Sequence, residues 1–200
     1  IKRKIAPFCN VDFSCVVESP DVKSIYEIPL RFHDQGLDRE VCDRLRLETK
    51  EPDLTAWKAI VERVLRPSKE VRIAVVGKYT DLHDAYKSVQ EALIHGGIPN
   101  DAHVRIEWLG SDRFTDQAAA GELLRGFDGL LIPGGFGERG VDGMVEAIRW
   151  ARENGLPFFG ICLGLQVAII EFARNVCGLP GTNSTEFAPA CATPVIAVVQ

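Results

Sequence analysis

From about residue 71 onward the chain alternates two hydrophobic rhythms, and that alternation leaves it few folds to adopt. "VRIAVVGKY" reads as a buried strand and "DAYKSVQEALIHGG" as a helix, with Asp84 as N-cap and Gly96–Gly97 as stop. "HVRIEWL" predicts a second strand, "DQAAAGELLRG" a helix with an internal Gly121, and "DGLLIPGG" a third strand. "VDGMVEAIRWARENG" predicts an amphipathic helix, "PFFGI" a fourth strand, and "LGLQVAIIEFARNV" a helix closed near Gly178. Strands joined through helices by short connections build a parallel sheet covered on both faces, an α/β doubly wound fold. Functional residues in such a sheet are expected in the loops beyond the carboxyl ends of its strands.

Residues 1–66 do not share this rhythm. "KIAPFCNV" is expected to be a strand, and "DVKSIYEIPLRFHDQGL" irregular with a turn at Gly36. "DLTAWKAIVERVL" places Leu54, Trp57, Ile60, Val61, Val64 and Leu65 on one helical face. "RPSKE" reads as a linker, which puts a boundary near residue 69. The closing "CATPVIAVVQ" breaks off inside an expected strand and no initiator Met is present, so both true ends are expected elsewhere.

Two hundred residues suffice for one sizeable core with an extension. A net charge of −5 gives no electrostatic footprint for nucleic acid. Gly and Pro interrupt the apolar runs before they reach the ~18 residues of a membrane span, and no signal peptide is legible. No nucleic acid and no membrane are therefore expected as partners, and a cytoplasmic location is expected. The six cysteines, at 9, 15, 42, 162, 177 and 191, form no C-x-x-C pair and have no histidine at zinc spacing. Free thiols in a reducing compartment, and no metal site, are the expectation.

One of these thiols stands apart. "PFFGICLGLQVAIIEFA" (157–173) runs a strand straight into a helix through Gly160, Cys162 and Gly164. Gly-x-nucleophile-x-Gly is the pattern of a nucleophile elbow, whose glycines relieve crowding around a strained central residue. Such a turn sets the thiol at a helix N-terminus, where the macrodipole and free N–H groups favour a thiolate. The N–H of Leu163, next along the chain, is placed to stabilise an oxyanion. Cysteine is also a small residue that fills buried turns. The paired glycines, the strand-to-helix switch and Gln166 weigh toward the nucleophile.

"GICLGLQ" resembles the G-x-C-x-G-x-Q signature of class I glutamine amidotransferases, which free ammonia from the glutamine side chain through a cysteinyl thioester. Covalent catalysis suits that task, because an amide is a poor electrophile and the intermediate divides one hard step into two. "IPGGFGERG" (132–140), "VVGKYTDLHDAYKSVQEAL" (75–93), "NSTEF" (183–187) and "SIYEIP" (24–29) narrow the resemblance to the CTP synthase family. It implies a ligase of pyrimidine biosynthesis that aminates UTP to CTP with ATP and glutamine. It further implies Mg²⁺ and a main ATP site outside these residues, GTP as an activator, and a homotetramer. The implied domains are the end of a nucleotide-binding synthetase domain (1–53), a helix and linker (54–69), and the first part of a flavodoxin-like amidotransferase domain (70–200).

Residue by residue, the resemblance makes Cys162 the nucleophile and puts Gly135 in the oxyanion loop, where close backbone approach suits a residue without Cβ. Leu163, Gly164, Leu165 and Gln166 fall in the glutamine-binding stretch, and Glu186 matches an acid that pairs with the substrate's α-ammonium. Lys4 matches a pyrimidine-nucleotide contact, and Val22 a backbone position near the ATP adenine.

Two departures matter. The family's general base is a downstream His-x-Glu, yet the four histidines (33, 83, 95 and 103) all precede Cys162. No G-x-x-x-x-G-K-[ST] phosphate loop is present either. The 200 residues alone are therefore not expected to complete either half-reaction. Two other readings stay open: a non-catalytic regulatory or assembly module with a glutaminase-like fold, and a cysteine-elbow hydrolase of another family.

Overall fold

The computed structural model describes residues 1–78 and 86–197. Asp84, the expected helix cap, and His83 lie outside the described residues. The chain divides into two compact units, Ile1–Lys69 with Ile98–His103, and Glu70–Gly97 with Val104–Gln200.

The first unit is mostly helical. "KIAPFCNV" corrects one expectation: it forms helix α1 (Lys2–Phe8), not a strand. A strand without a neighbour leaves its N–H and C=O groups unpaired, whereas a helix closes them within itself. The segment expected to be irregular is a second correction, since it holds a 3₁₀ turn (Ile25–Glu27) and helix α2 (Ile28–Asp34). Its start carries a capping box. Ser24 Oγ accepts from the Tyr26 N–H, and Glu27 Oε1 accepts from the Ser24 N–H (3.2 Å). Pro29 in the first turn of α2 brings its φ already set for helix. Gly36, at φ +79°, turns the chain into α3 (Leu37–Leu45). The amphipathic stretch forms α4 (Thr55–Leu65), with Val61 buried and the Trp57 indole N–H donating to the Tyr26 carbonyl (2.9 Å).

The second unit carries the sheet. Strand and helix alternate as β1 (Lys69–Gly77), α5 (Lys87–Gly97), β2 (Ala102–Gly110), α6 (Gln117–Leu124), β3 (Gly129–Ile132), α7 (Val141–Glu153), β4 (Phe158–Gly160) and α8 (Leu163–Asn175). A short pair, β5 (Asn183–Ser184) with β6 (Pro194–Ile196), follows. The strand order is β2-β1-β3-β4, and β1–β3 and β3–β4 are parallel, with Ile73 beside Gly129 and Ile132 beside Gly160. The chain leaves β1 toward one edge and returns past it to β3. A crevice therefore opens between the carboxyl ends of β1 and β3.

Ala74, Val76, Leu130 and Ile132 face a core built with Leu124, Met144, Ile148, Val167 and Ile170 from α6, α7 and α8. Val75 and Leu131, which point to the other face, are also buried. Right-handed crossovers assign α5 to that second face. The sheet is doubly wound, as its sequence rhythm predicts.

One charge lies inside this packing. Glu171 of α8 is 1 % exposed and accepts hydrogen bonds from the Arg152 guanidinium of α7 (2.8 Å at Nη2, 3.1 Å at Nε) and from Asn175 (3.2 Å). The carboxylate in turn holds Arg152 above its ordinary pKa. Removing one partner of a buried pair strands the other. Arg152→Met should cost roughly 3 kcal/mol in urea unfolding, the low end for such a loss because the guanidinium is partly exposed.

Candidate active site

Beyond the carboxyl end of β4 the chain turns at Cys162 with φ 51° and ψ −103°. Asn10, Arg46 and Asp101 are the other non-glycine residues with positive φ among those described. Arg46, at ψ 41°, sits in the ordinary left-handed well, which the ψ of Cys162 misses altogether. A backbone held there costs about 1–3 kcal/mol and persists only where its surroundings enforce it.

The two flanking glycines do the enforcing. A Cβ on Gly160 would stand 2.5 Å from the Gly164 carbonyl carbon, and one on Gly164 would collide with the Ile132 carbonyl oxygen. Only bare backbone lets β3, β4 and the first turn of α8 approach so closely. The Ile161 N–H donates to Ile132 (2.9 Å), Gly164 to Ile161 (2.9 Å) and Gln166 to the Cys162 carbonyl (3.1 Å). Cys162 thus becomes the N-cap of α8, with its side chain exposed. A thiol at that end of a helix faces free N–H groups and the positive end of the macrodipole.

The loop after β3 lies against this elbow. A Cβ on Gly134 would be 3.6 Å from the Cys162 Cβ, and one on Gly135 would be 3.0 Å from Cδ2 of the buried Leu163. Beyond Gly135 the loop is held by charge. Lys78, the residue after β1, donates from Nζ to the carbonyls of Phe136 (2.9 Å) and Gly137. The Gly137 N–H donates to Glu186 Oε1 (2.9 Å), and the Arg139 guanidinium donates back to the Lys78 carbonyl (2.9 Å). Burial pulls the Lys78 ammonium below its ordinary pKa and Arg139 adds to this, while Glu186 opposes it.

The structure therefore sets Cys162, Leu163 and Gly164 against the loop at Gly134 and Gly135, and the same loop meets Glu186 two residues on, at Gly137. Leu165, half exposed, and Gln166 follow on the first turn of α8. Lys4, exposed on α1, and Val22 belong to the first unit. Val22 lines a cavity of about 500 Å³ with Pro20, Asp21, Lys23, Glu27 and Leu65. Sequence reasoning missed Lys78 and Arg139. Their signal was positional: a lysine directly after a buried strand that borders the switch point, and an arginine in the glycine-rich loop.

Of the described histidines, neither His95 nor His103 stands at this end of the sheet by topology. His95 closes α5 and His103 opens β2, both at the amino ends of the strands, and His33 pairs with Asp38 (2.6 Å) in the first unit. Among the described residues no group of three or more His, Cys, Asp or Glu could hold a metal ion. Nor is any described helix long and apolar enough to cross a membrane.

The strain makes a test. Cys162→Gly should raise the unfolding free energy by about 1 kcal/mol, the strain relieved less the chain entropy of an added glycine. Cys162→Ser should leave stability nearly unchanged. Equal stability for all three in urea titrations would mean that the elbow is not strained.

Comparison with known proteins places these features in context. The profile described as glutamine amidotransferase class-I matches residues 81–190, and that described as CTP synthase N-terminus matches residues 1–47. A CTP synthase of Oleidesulfovibrio alaskensis is 54% identical over 187 residues, covering 94% of this chain and 34% of its own length. One from Geobacter metallireducens is 51% identical, covering 100% of this chain and 37% of its own. The chain thus spans about a third of the length of the curated relatives it matches. Among solved structures, the Trypanosoma brucei CTPS glutaminase domain with bound acivicin superposes with a TM-score of 0.60 at 43% identity. That match covers 64% of this chain and 50% of the other.

Proposed function

The chain belongs to the class-I glutamine amidotransferase family, and on that premise we propose that it is the segment of a glutamine-hydrolysing CTP synthase that carries the nucleophile of ammonia release. The observation that bears most weight is the strained Cys162 at the N-terminus of α8, packed against a glycine loop whose far side carries Glu186.

The chemistry follows from the geometry. Glutamine's α-ammonium pairs with Glu186, which puts its side-chain amide toward Cys162. The thiolate attacks the amide carbon, and the carbonyl oxygen takes up the negative charge. The N–H of Leu163, next to the nucleophile, and the backbone of the loop at Gly135 receive that oxyanion. Collapse expels the nitrogen as ammonia once it has gained a proton and leaves a γ-glutamyl thioester. Water then attacks the thioester, releasing glutamate and restoring the thiol. The proton shuttle requires a base, which the resemblance puts in a His-x-Glu downstream of residue 200.

In the first unit we read the cavity at Val22 as an adenine contact, with Pro20, Val22 and Leu65 as apolar wall and Asp21, Lys23 and Glu27 as polar rim. Lys4 is read as a pyrimidine-nucleotide contact. ATP, UTP and L-glutamine are then the whole protein's substrates, and a homotetramer its assembly. Mg²⁺ would travel with the ATP phosphates and GTP would act as an activator, neither through a residue identified in this chain.

Two measurements on the full encoded polypeptide test the reading. Acivicin should give a single adduct mapped by mass spectrometry to Cys162, and glutamine should protect against it. An unlabelled Cys162 in folded, full-length protein would remove the reading and favour a non-catalytic module. Glu186→Gln should raise the KM for glutamine by about 10- to 150-fold, the worth of a hydrogen bond to a charged group at 1.5–3 kcal/mol. A KM left unchanged would take Glu186 out of the substrate site.

A further inference from the structure

The loop between β3 and α7 has little of its own to hold it still. Gly134, Gly135 and Gly137 supply no side chains, and Phe136 is 82 % exposed, so side-chain packing does not fix its backbone. Glycine peptides rotate at small cost. An oxyanion hole, in contrast, works only if its donors are aimed before the charge develops. Something else must set the orientation of these peptides.

The contacts at one peptide unit supply it. The Phe136 carbonyl and the Gly137 N–H are the two ends of a single peptide group. The oxygen end receives the Lys78 ammonium and the hydrogen end donates to the Glu186 carboxylate. A peptide dipole of ~3.5 D thus lies between a cation and an anion, aligned with both. Reversing this peptide would aim its oxygen at the carboxylate and its N–H at the ammonium. Lys78 also holds the next carbonyl, that of Gly137, and Arg139 returns from the loop to the Lys78 backbone. The ring closes from strand β1 through the loop and back. Both ends of the peptide are held by charge-assisted hydrogen bonds, which are stronger than neutral ones.

Resting on the glutamine-hydrolysis reading, we propose that Lys78 is a positioning residue for that reaction. With Glu186 it locks the Phe136–Gly137 peptide, and through it the Gly135 backbone, in the orientation that accepts the oxyanion. Under that reading Glu186 serves two partners, the loop and the substrate ammonium. When glutamine arrives, the ammonium draws on the carboxylate charge that holds Gly137. The Lys78 side of the clamp then carries the loop alone through the chemical step. Lys78 therefore matters to turnover more than to binding, the opposite of Glu186.

The test uses the full encoded polypeptide, with glutamine hydrolysis and acivicin labelling of Cys162 measured side by side. Lys78→Met should lower kcat by about 10- to 100-fold, short of deleting an oxyanion donor outright, while KM changes by less than about threefold and Tm little. Lys78→Arg, which keeps a cationic donor, should recover most of the loss. Should Lys78→Met fail to fold, Lys78→Gln carries the same expectation. A kcat close to wild type in the neutral variant overturns the proposal, as does an equal loss in the methionine and arginine variants. Wild-type protein that neither hydrolyses glutamine nor takes up acivicin at Cys162 removes the underlying reading and this inference with it. Normal wild-type behaviour with an insensitive Lys78 removes the inference alone.

Discussion

Everything at the candidate site hangs on one backbone contact. The Ile132 carbonyl at the end of β3 accepts from the Ile161 N–H and sits where a Cβ on Gly164 would be. That single oxygen fixes where β4 ends and where α8 begins, and so fixes Cys162 between them. Because the contact is backbone on backbone, rotamer changes cannot relax it. The strained φ and ψ of Cys162 are the residue of that constraint. A turn with any side chain at 160 or 164 would widen, and the thiol would drop back into an ordinary βα connection.

The same economy appears in the loop opposite, with different physics. Where the elbow is held by steric exclusion, the 134–140 loop is held by charge, through Lys78, Glu186 and Arg139. Steric restraint gives a rigid nucleophile. Charge restraint gives a loop whose hold changes when another charge arrives. A site that receives an ammonium group and steadies a developing anion, as proposed for this one, would use both kinds. Further back, the buried Glu171 tied to Arg152 locks α8 to α7, so the helix that bears the thiol keeps its register against the core.

The fold of the second unit was legible because its signals are local. Short apolar runs bounded by glycine or proline, and apolar stripes at helical spacing, mark the strands and helices from Lys69 to Asn175. The elbow was legible for the same reason, since Gly160, Cys162 and Gly164 are neighbours in the chain. What escaped was decided at a distance. Lys78 and Phe136 lie 58 positions apart and meet only because β1 and β3 are adjacent. Glu171 reads as a surface charge on a helix until Arg152, 19 residues earlier, is brought over it. The segment Lys2–Phe8 reads as a strand because Ile5 and Phe8 suit a strand as well as a helix, and among the described residues no strand pairs with it. The capping box at Ser24–Glu27, by contrast, was local and simply passed over.

The proposed ammonia release divides along the chain in the same way. The strain at Cys162 is enforced by Ile132, Gly160, Ile161 and Gly164, all within the second unit. The groups proposed to steady charge, Lys78, Gly135, Leu163 and Glu186, come from the same stretch. Of the described histidines in this stretch, His95 and His103 stand at the other end of the strands from the elbow. On the proposed reading, nucleophile placement and anion stabilisation are built into the sheet itself, and the base is the separate His-x-Glu that the family resemblance implies. An elbow of this kind holds its geometry with or without the base. Its reactivity toward an electrophile that needs little proton transfer then reports on the elbow, and turnover of glutamine reports on the elbow and the base together.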